Sequence, residues 1–153
     1  MQTIEHTQSF DLPYPIDTLF PLFSPEGEKL WVPGWDYVNI AHAHPLRENG
    51  IFLTRTHDHA GSDAIWLVKT FEPNQYLVQF YKIEPNQKVG LITVACAHLP
   101  ESDRPMRTRT SVTYQYTTLS EDGTAFINGF DETAYAVFIN EWRDLLIQYF
   151  EGK

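Results

Sequence analysis

Residues 108–151 read TRTSVTYQYTTLSEDGTAFINGFDETAYAVFINEWRDLLIQYFE, and two periodicities meet inside them. Over residues 108–118 the period is two. Thr110, Val112, Tyr114 and Tyr116 face one way and Arg109, Ser111, Thr113 and Gln115 the other, as in a strand with one buried and one solvated face. After a short helical turn from Ser120 and a break at Gly129, Asp131 is placed to cap a segment that runs to about Glu151. At ~100° per residue, Ala134, Tyr135, Phe138, Trp142, Leu145, Leu146 and Tyr149 of that segment share one stripe, with Asn140, Asp144, Gln148 and Glu151 opposite. A strand that buries aromatic side chains, followed by a long helix with an aromatic stripe, predicts an α+β layer with the helix on one face of an antiparallel sheet.

Upstream, turn-rich clusters recur at residues 45–50, 59–63, 72–75, 84–87 and 100–105, which predicts six strands in an antiparallel meander from Tyr37 onward. Residues 4–12 alternate well enough for a first strand, stopped by Pro13 and Pro15. Pro15 then opens a helix in which Ile16, Leu19, Phe20 and Phe23 recur at helical spacing. Pro21 interrupts it, and Ser24-Pro25 supplies a fresh cap and first position. Two short helices are therefore expected, the second ending near Trp31, before the Pro33-Gly34 turn. Nothing resembling a repeat, a low-complexity tract or a Gly/Ser linker divides residues 1–153, so one domain is expected.

The 153 residues carry 11 Lys and Arg against 20 Asp and Glu, a formal net charge of −9. That balance speaks against nucleic acid and anionic membranes, which need clustered cations to neutralise phosphates. The single cysteine, Cys96, excludes an internal disulfide and any multi-cysteine cage, and a reducing cytoplasm is the default. No run approaches the ~18 apolar residues of a membrane span, so membrane insertion is not expected. A monomer or homodimer fits. The unusual figure is 14% aromatic residues, with 4 Trp, 8 Tyr and 10 Phe, enough rings to line or fill something wide.

The turns let the register be estimated, and the register decides which side chains meet. Pairing Val94 with Val112 puts Ile92 beside Tyr114, with Gly90, Cys96 and Thr110 on the same face. Val78 and Phe80 then pair with Val94 and Ile92, Val68 with Phe80, and Trp66 with Lys82; Thr56 and Thr54 fall beside Trp66 and Val68. The inner face is aromatic and β-branched, with a few polar tips.

The same parity bears on the histidines. His42, His44, His57 and His59 form two His-x-His pairs that look like metal ligands, yet all four fall on the outer face. His57 pairs near Val38, four residues from His42, or roughly 13 Å at ~3.3 Å per residue. That is too far for the ~2.0 Å bonds of one shared ion, so they read as solvated surface groups and no metal or cofactor is expected. Lys82, by contrast, faces inward near Trp66 and Asp58. A buried lysine needs a partner or a shifted pKa, so it reads either as an Asp58–Lys82 pair at a cavity mouth or as an anchor for a ligand oxygen. His6 and Gln8 on the first strand add polar handles, and Tyr114 and Tyr116 offer hydroxyls. Cys96, mid-strand beside Thr110, reads as a small core residue.

The segments LFPLFSPEGEKLWVPGW (residues 19–35), GIFLTRTHDHAGSDAIWLV (50–68) and VTYQYTTLSEDGTAF (112–126), with the helix carrying Phe138 and Trp142, resemble the bacterial START-like, or SRPBCC, superfamily. The resemblance covers nearly the whole chain. It implies a helix-grip fold, in which a curved seven-stranded antiparallel sheet wraps the C-terminal helix and two short helices lie between the first and second strands. It also implies a cavity between sheet and helix that commonly holds an apolar small molecule.

Three functions compete. In the first, the chain binds a hydrophobic small molecule, a lipid, acyl chain or polycyclic aromatic. Its wall is Thr54, Trp66, Phe80, Lys82, Tyr114, Tyr116, Tyr135, Phe138 and Trp142, with Trp31 and Trp35 near the entrance. The plain alternative is that these rings pack on one another. In the second, a cyclase-like or dehydratase-like enzyme uses Lys82, Tyr114, Asp58 or His6 to move protons, although no catalytic triad, phosphate loop or dinucleotide fingerprint is present. In the third, the chain is an interaction protein resembling chaperone-ATPase activators, using its outer sheet face.

Overall fold

The computed structural model describes residues 1–55, 63–100 and 107–152. The alternation of the last strand is found in β7, Arg107–Thr118, which lies antiparallel to β1, Thr3–Leu12, with Ile4 opposite Tyr116 and Phe10 opposite Thr110. Between them in sequence come α1 (Ile16–Leu19), a tight helical turn (Phe20–Phe23), α2 (Pro25–Glu28), β2 (Val38–Ala43), β3 (Leu46–Thr54), β4 (Ala64–Glu72), β5 (Leu77–Glu84) and β6 (Lys88–Leu99). The chain then adds α3 (Glu121–Gly129) and the long α4 (Glu132–Glu151). The strands form one seven-stranded antiparallel sheet in the order β1-β7-β6-β5-β4-β3-β2, and α4 lies along β1. Curved sheet, long terminal helix and short helices after β1 together make the helix-grip fold.

Local chemistry sets the boundaries. Ser24 caps α2 by accepting from the Gly27 amide at 2.9 Å, and Asp131 caps α4 by accepting from the Ala134 amide at 2.8 Å. On the outer face, hydroxyl pairs Thr7–Thr113 (2.8 Å) and Ser9–Ser111 (2.7 Å) bridge β1 and β7, and Arg109 grips Asp11 in a two-pronged pair. The inner face carries the core, with Val68, Val78, Val94 and Val112 almost wholly enclosed.

From β4 to β7 the expected register holds: Val94 pairs with Val112, Phe80 with Ile92, Val68 with Phe80 and Trp66 with Lys82. Nearer the other edge it slips. Phe52, not Thr56, is opposite Trp66, and Thr54 pairs with Ala64, not Val68, an offset of four residues that keeps parity and leaves Thr54 on the inner side. The expected turn at 45–50 is also displaced. Ala43 pairs with Leu46, so His44 and Pro45 make the turn and residues 47–50 belong to the strand. Their turn-like composition reflects bulges: His42 and Asn49 have positive φ, and a Cβ at Gly50 would meet the His42 carbonyl oxygen at 2.5 Å. As a result Val38 pairs with Leu53, not near His57. His57, His59, Thr56 and Asp58 lie outside the described residues; His42 and His44 are exposed.

The buried stripe of α4 is also rotated from the one read by periodicity. Tyr135, Ile139 and Leu146 are the enclosed residues, whereas Phe138, Trp142, Leu145 and Tyr149 on one flank are half-buried. Ile139 had no place in the expected stripe. Among the described residues, no helix is long and apolar enough to cross a membrane.

Candidate functional site

Two aromatic groups form on the inner side. Around β3 and β4, Trp66 stacks on Phe52 at 5.3 Å, meets Phe80 edge-on at 6.0 Å and meets Trp35 at 5.9 Å, while its indole N–H donates to Thr54 Oγ1 at 2.9 Å. Around β7 and α4, Tyr114 is the hub, touching Tyr116 (5.7 Å), Tyr135 (5.8 Å), Phe138 (5.5 Å) and Trp142 (6.3 Å). Trp142 in turn meets Trp31 at 5.7 Å and Phe23 at 6.2 Å. Edge-to-face contacts of this kind add ~0.5–1.5 kcal/mol per pair beyond area burial, so each group is a firm wall.

The segment joining α2 to β2 is pinned by its own polar tips. Trp31 Nε1 donates to the Leu22 carbonyl and Trp35 Nε1 to the Pro25 carbonyl, each at 2.8 Å, and the Tyr37 hydroxyl donates to Glu26 Oε2 at 2.5 Å. Burial and this bond push the Tyr37 hydroxyl up to about 12. Trp31 is therefore an enclosed part of the wall and not an entrance residue, while Trp35 is half-buried. Tyr135 is likewise structural, its hydroxyl donating to the Val112 carbonyl at 2.6 Å and tying α4 to β7.

The ionisable side chains lie at the β5–β6 end of the sheet. Lys82, on the inner face of β5 and over the Trp66 ring at 5.4 Å, pairs with Glu84 at 3.6 Å; the expected Asp58 partner lies outside the described residues. Glu84 also holds Lys88 at 3.1 Å, and Lys88 is enclosed beneath the Phe126 ring at 3.8 Å and the Tyr116 ring at 5.4 Å. Gly90 stands between these rows because a Cβ there would meet Tyr116 Cε1 at 2.8 Å. Burial lowers the Lys82 ammonium from its ordinary value, partly opposed by Glu84, yet the side chain keeps 27% exposure.

Glu28, at the end of α2, completes this set. Burial pushes its carboxyl up to about 8, with Lys82 pulling the other way; burial likewise holds the Tyr114 hydroxyl well above its usual range, with Tyr116 and Glu28 adding to it. Glu28, Glu84 and Lys88 were not singled out from sequence. The parity that turned Lys82 inward also turns Glu84 and Lys88 inward and would have found them; no periodicity exists in a four-residue helix to aim Glu28. His6 Nε2 donates to the Phe130 carbonyl at 2.9 Å, so that nitrogen is committed to the α3 terminus. Cys96 is buried beside Thr110, and burial pushes its thiol up to about 11. Gln8 is half-buried opposite Val112.

At the other end, Phe20, Phe23, Leu46, Phe71 and Val78 line an apolar cleft of ≈ 230 Å³ with His44 and Ser24 at its rim. Ligand cavities usually measure ~300–1,000 Å³, so this cleft alone suits one ring or a short chain. Phe23 is shared between the cleft and the Trp31–Trp142 wall.

No protein-family model and no curated protein matches the sequence. Solved structures do resemble it. Norcoclaurine synthase from Thalictrum flavum, in complex with dopamine and hydroxybenzaldehyde, superposes with a TM-score of 0.66 over 96% of this chain and 88% of its own, at 11% identity. A point mutant of the same enzyme with a transition-state analogue gives 0.63 over 99% and 96%, also at 11% identity. Ara h 8.0201 gives 0.62 over 95% and 99%, at 8% identity. At such identities the likeness establishes the helix-grip fold.

Proposed function

We propose that this chain is a START-like, SRPBCC-type protein of the reducing cytoplasm that binds a hydrophobic small molecule, a lipid, acyl chain or polycyclic aromatic, between the sheet and α4. The observation that carries the reading is the placement of Lys82 and Glu28, desolvated yet only half-buried, next to the Trp66 and Tyr114 aromatic groups. A core built only for stability has little use for an ammonium and a carboxyl at that depth, since each is costly to desolvate. Ligand sites have this composition: mostly apolar walls with a few placed polar groups. The structural neighbours support it, because one of them carries two aromatic small molecules.

Native mass spectrometry of the purified protein, together with Trp fluorescence during titration with a panel of fatty acids and polycyclic aromatics, tests the reading. A bound small molecule or a saturable fluorescence change is expected. An empty protein indifferent to the whole panel would remove the proposal.

A second reading, a cyclase-like enzyme, is favoured by one observation. The Glu28 carboxyl is pushed up to about 8, the range that general acid–base chemistry needs, with the lowered Lys82 ammonium and the protonated Tyr114 hydroxyl in the same set. Once any turnover is found, Lys82→Met, Tyr114→Phe and Glu28→Gln should each lower kcat by roughly 10²-fold or more. Unchanged turnover in all three would discard these roles.

A further inference from the structure

Among the described residues, the β5–β6 end of the inner face carries two lysines on one strand carboxylate, with the Glu28 carboxyl of α2 beside Lys82. Lys82 and Lys88 share the single carboxylate of Glu84, its Oε1 at 3.6 Å from Lys82 and its Oε2 at 3.1 Å from Lys88. Lys88 is closed in by Phe126 and Tyr116, so its side of the pair is complete. Lys82 is less enclosed: its contact with Glu84 is the longer one, its flank is the Trp66 ring, and its side chain keeps 27% exposure. The two lysines belong to a chain whose formal net charge is −9, so their placement is not a by-product of a basic composition.

We infer that the interior site takes a ligand with an acidic headgroup, a carboxylate on an aromatic or acyl body, and that Lys82 receives that headgroup. This rests on the ligand-binding reading above and names the ligand class. An apolar body would lie along Trp66 and Phe80 while its carboxylate supplies Lys82 with the counter-charge that Glu84 divides between two lysines. Glu28 does not supply it near neutral pH, because burial keeps that carboxyl protonated to about 8. The Tyr114 hydroxyl, neutral throughout that range, remains a donor to a ligand oxygen.

Isothermal titration with two probes of the same ring system, 2-naphthoate and 2-naphthalenemethanol, near neutral pH separates the possibilities. The acid should bind at least about 10-fold tighter than the alcohol, as a charge-assisted hydrogen bond implies. In Lys82→Met the preference should collapse to within about twofold. If that variant does not fold by circular dichroism, Lys82→Gln makes the same test, and the wild-type comparison needs no variant at all. Equal affinities in the wild type, or a preference that survives loss of the lysine, overturns the inference while leaving ligand binding intact. Failure of both probes, and of every apolar compound in the wider panel, overturns the inference together with the function on which it rests.

Discussion

Glu28 makes the sharpest statement about pH. Its carboxyl titrates at 4.5 when free and at about 8 in the folded chain, chiefly because burial penalises the charged form. Between those values the folded chain holds a proton that the unfolded chain has released, so stability falls as pH rises from about 4.5 to about 8 and then levels off. Lys82, Glu84, Lys88 and Tyr114 belong to the same site; burial lowers the Lys82 ammonium and raises the Tyr114 hydroxyl from their ordinary values. Glu28→Gln should flatten the slope. Because the side chain is only half-buried, the gain at about pH 8.5 over wild type should be on the order of 1–2 kcal/mol, read by urea unfolding there and at about pH 5. A variant with the wild-type slope would show that Glu28 ionises as freely in the folded chain as in the unfolded one. At Gly50 the constraint is steric. An alanine Cβ would press on the His42 and Arg47 carbonyl oxygens, both backbone, so Gly50→Ala should cost roughly 1–3 kcal/mol in the same assay.

At the scale of elements, what the sequence disclosed depended on whether a period was long enough to fix a direction. β7 has twelve residues in strict alternation, and its parity propagates through the short turns at 85–87 and 73–75, so the pairings from Trp66–Lys82 to Val94–Val112 could be read in advance. β3 could not. Arg47, Glu48, Asn49 and Gly50 are turn-forming residues used in a bulged strand, and the displaced turn moved the pairing of Val38 from near His57 to Leu53; on the β4 side, Phe52 takes the place expected for Thr56 opposite Trp66. On α4, the apolar stripe was wide enough to hide its own centre. Weighting by aromatic residues put it on the Phe138–Trp142 flank, whereas the enclosed line runs through Tyr135, Ile139 and Leu146. Ile139→Ala should therefore cost about 2–5 kcal/mol, like other truncations of fully enclosed aliphatic side chains. Val137→Ala, on the exposed side of the same helix, should move stability by less than about 0.5 kcal/mol. Chemical denaturation of the two variants side by side is the measurement. Equal effects would mean that α4 is not docked through the Ile139 line.

Over the whole molecule, the candidate site was half legible: the inward aromatic side chains of the strands followed from parity, and the same parity reaches Glu84 and Lys88, but the carboxyl of Glu28, on a four-residue helix, meets Lys82 only through the fold. The same folding leaves the outside as acidic as composition states, because Lys82 and Lys88 are turned inward together with the carboxyls of Glu84 and Glu28, and the formal −9 stays on the surface. Self-repulsion of an acidic surface weakens the compact state, and salt relieves it by shortening the screening length from ~30 Å at 0.01 M to ~8 Å at 0.15 M. Exposed pairs such as Arg109–Asp11 work in the opposite direction, but such pairs contribute only ~0–1 kcal/mol each. Repulsion should win, and Tm near pH 8 should rise by about 2–4 °C between those salt concentrations, equivalent to about 1 kcal/mol in a domain of this size. Near pH 5, close to the sequence pI of ≈ 5.0, the same change should have little effect, because the net charge has been titrated away. Thermal unfolding by circular dichroism at the two pH values decides the matter: a Tm that falls with salt near pH 8 would mean that local pairs outweigh the acidic surface.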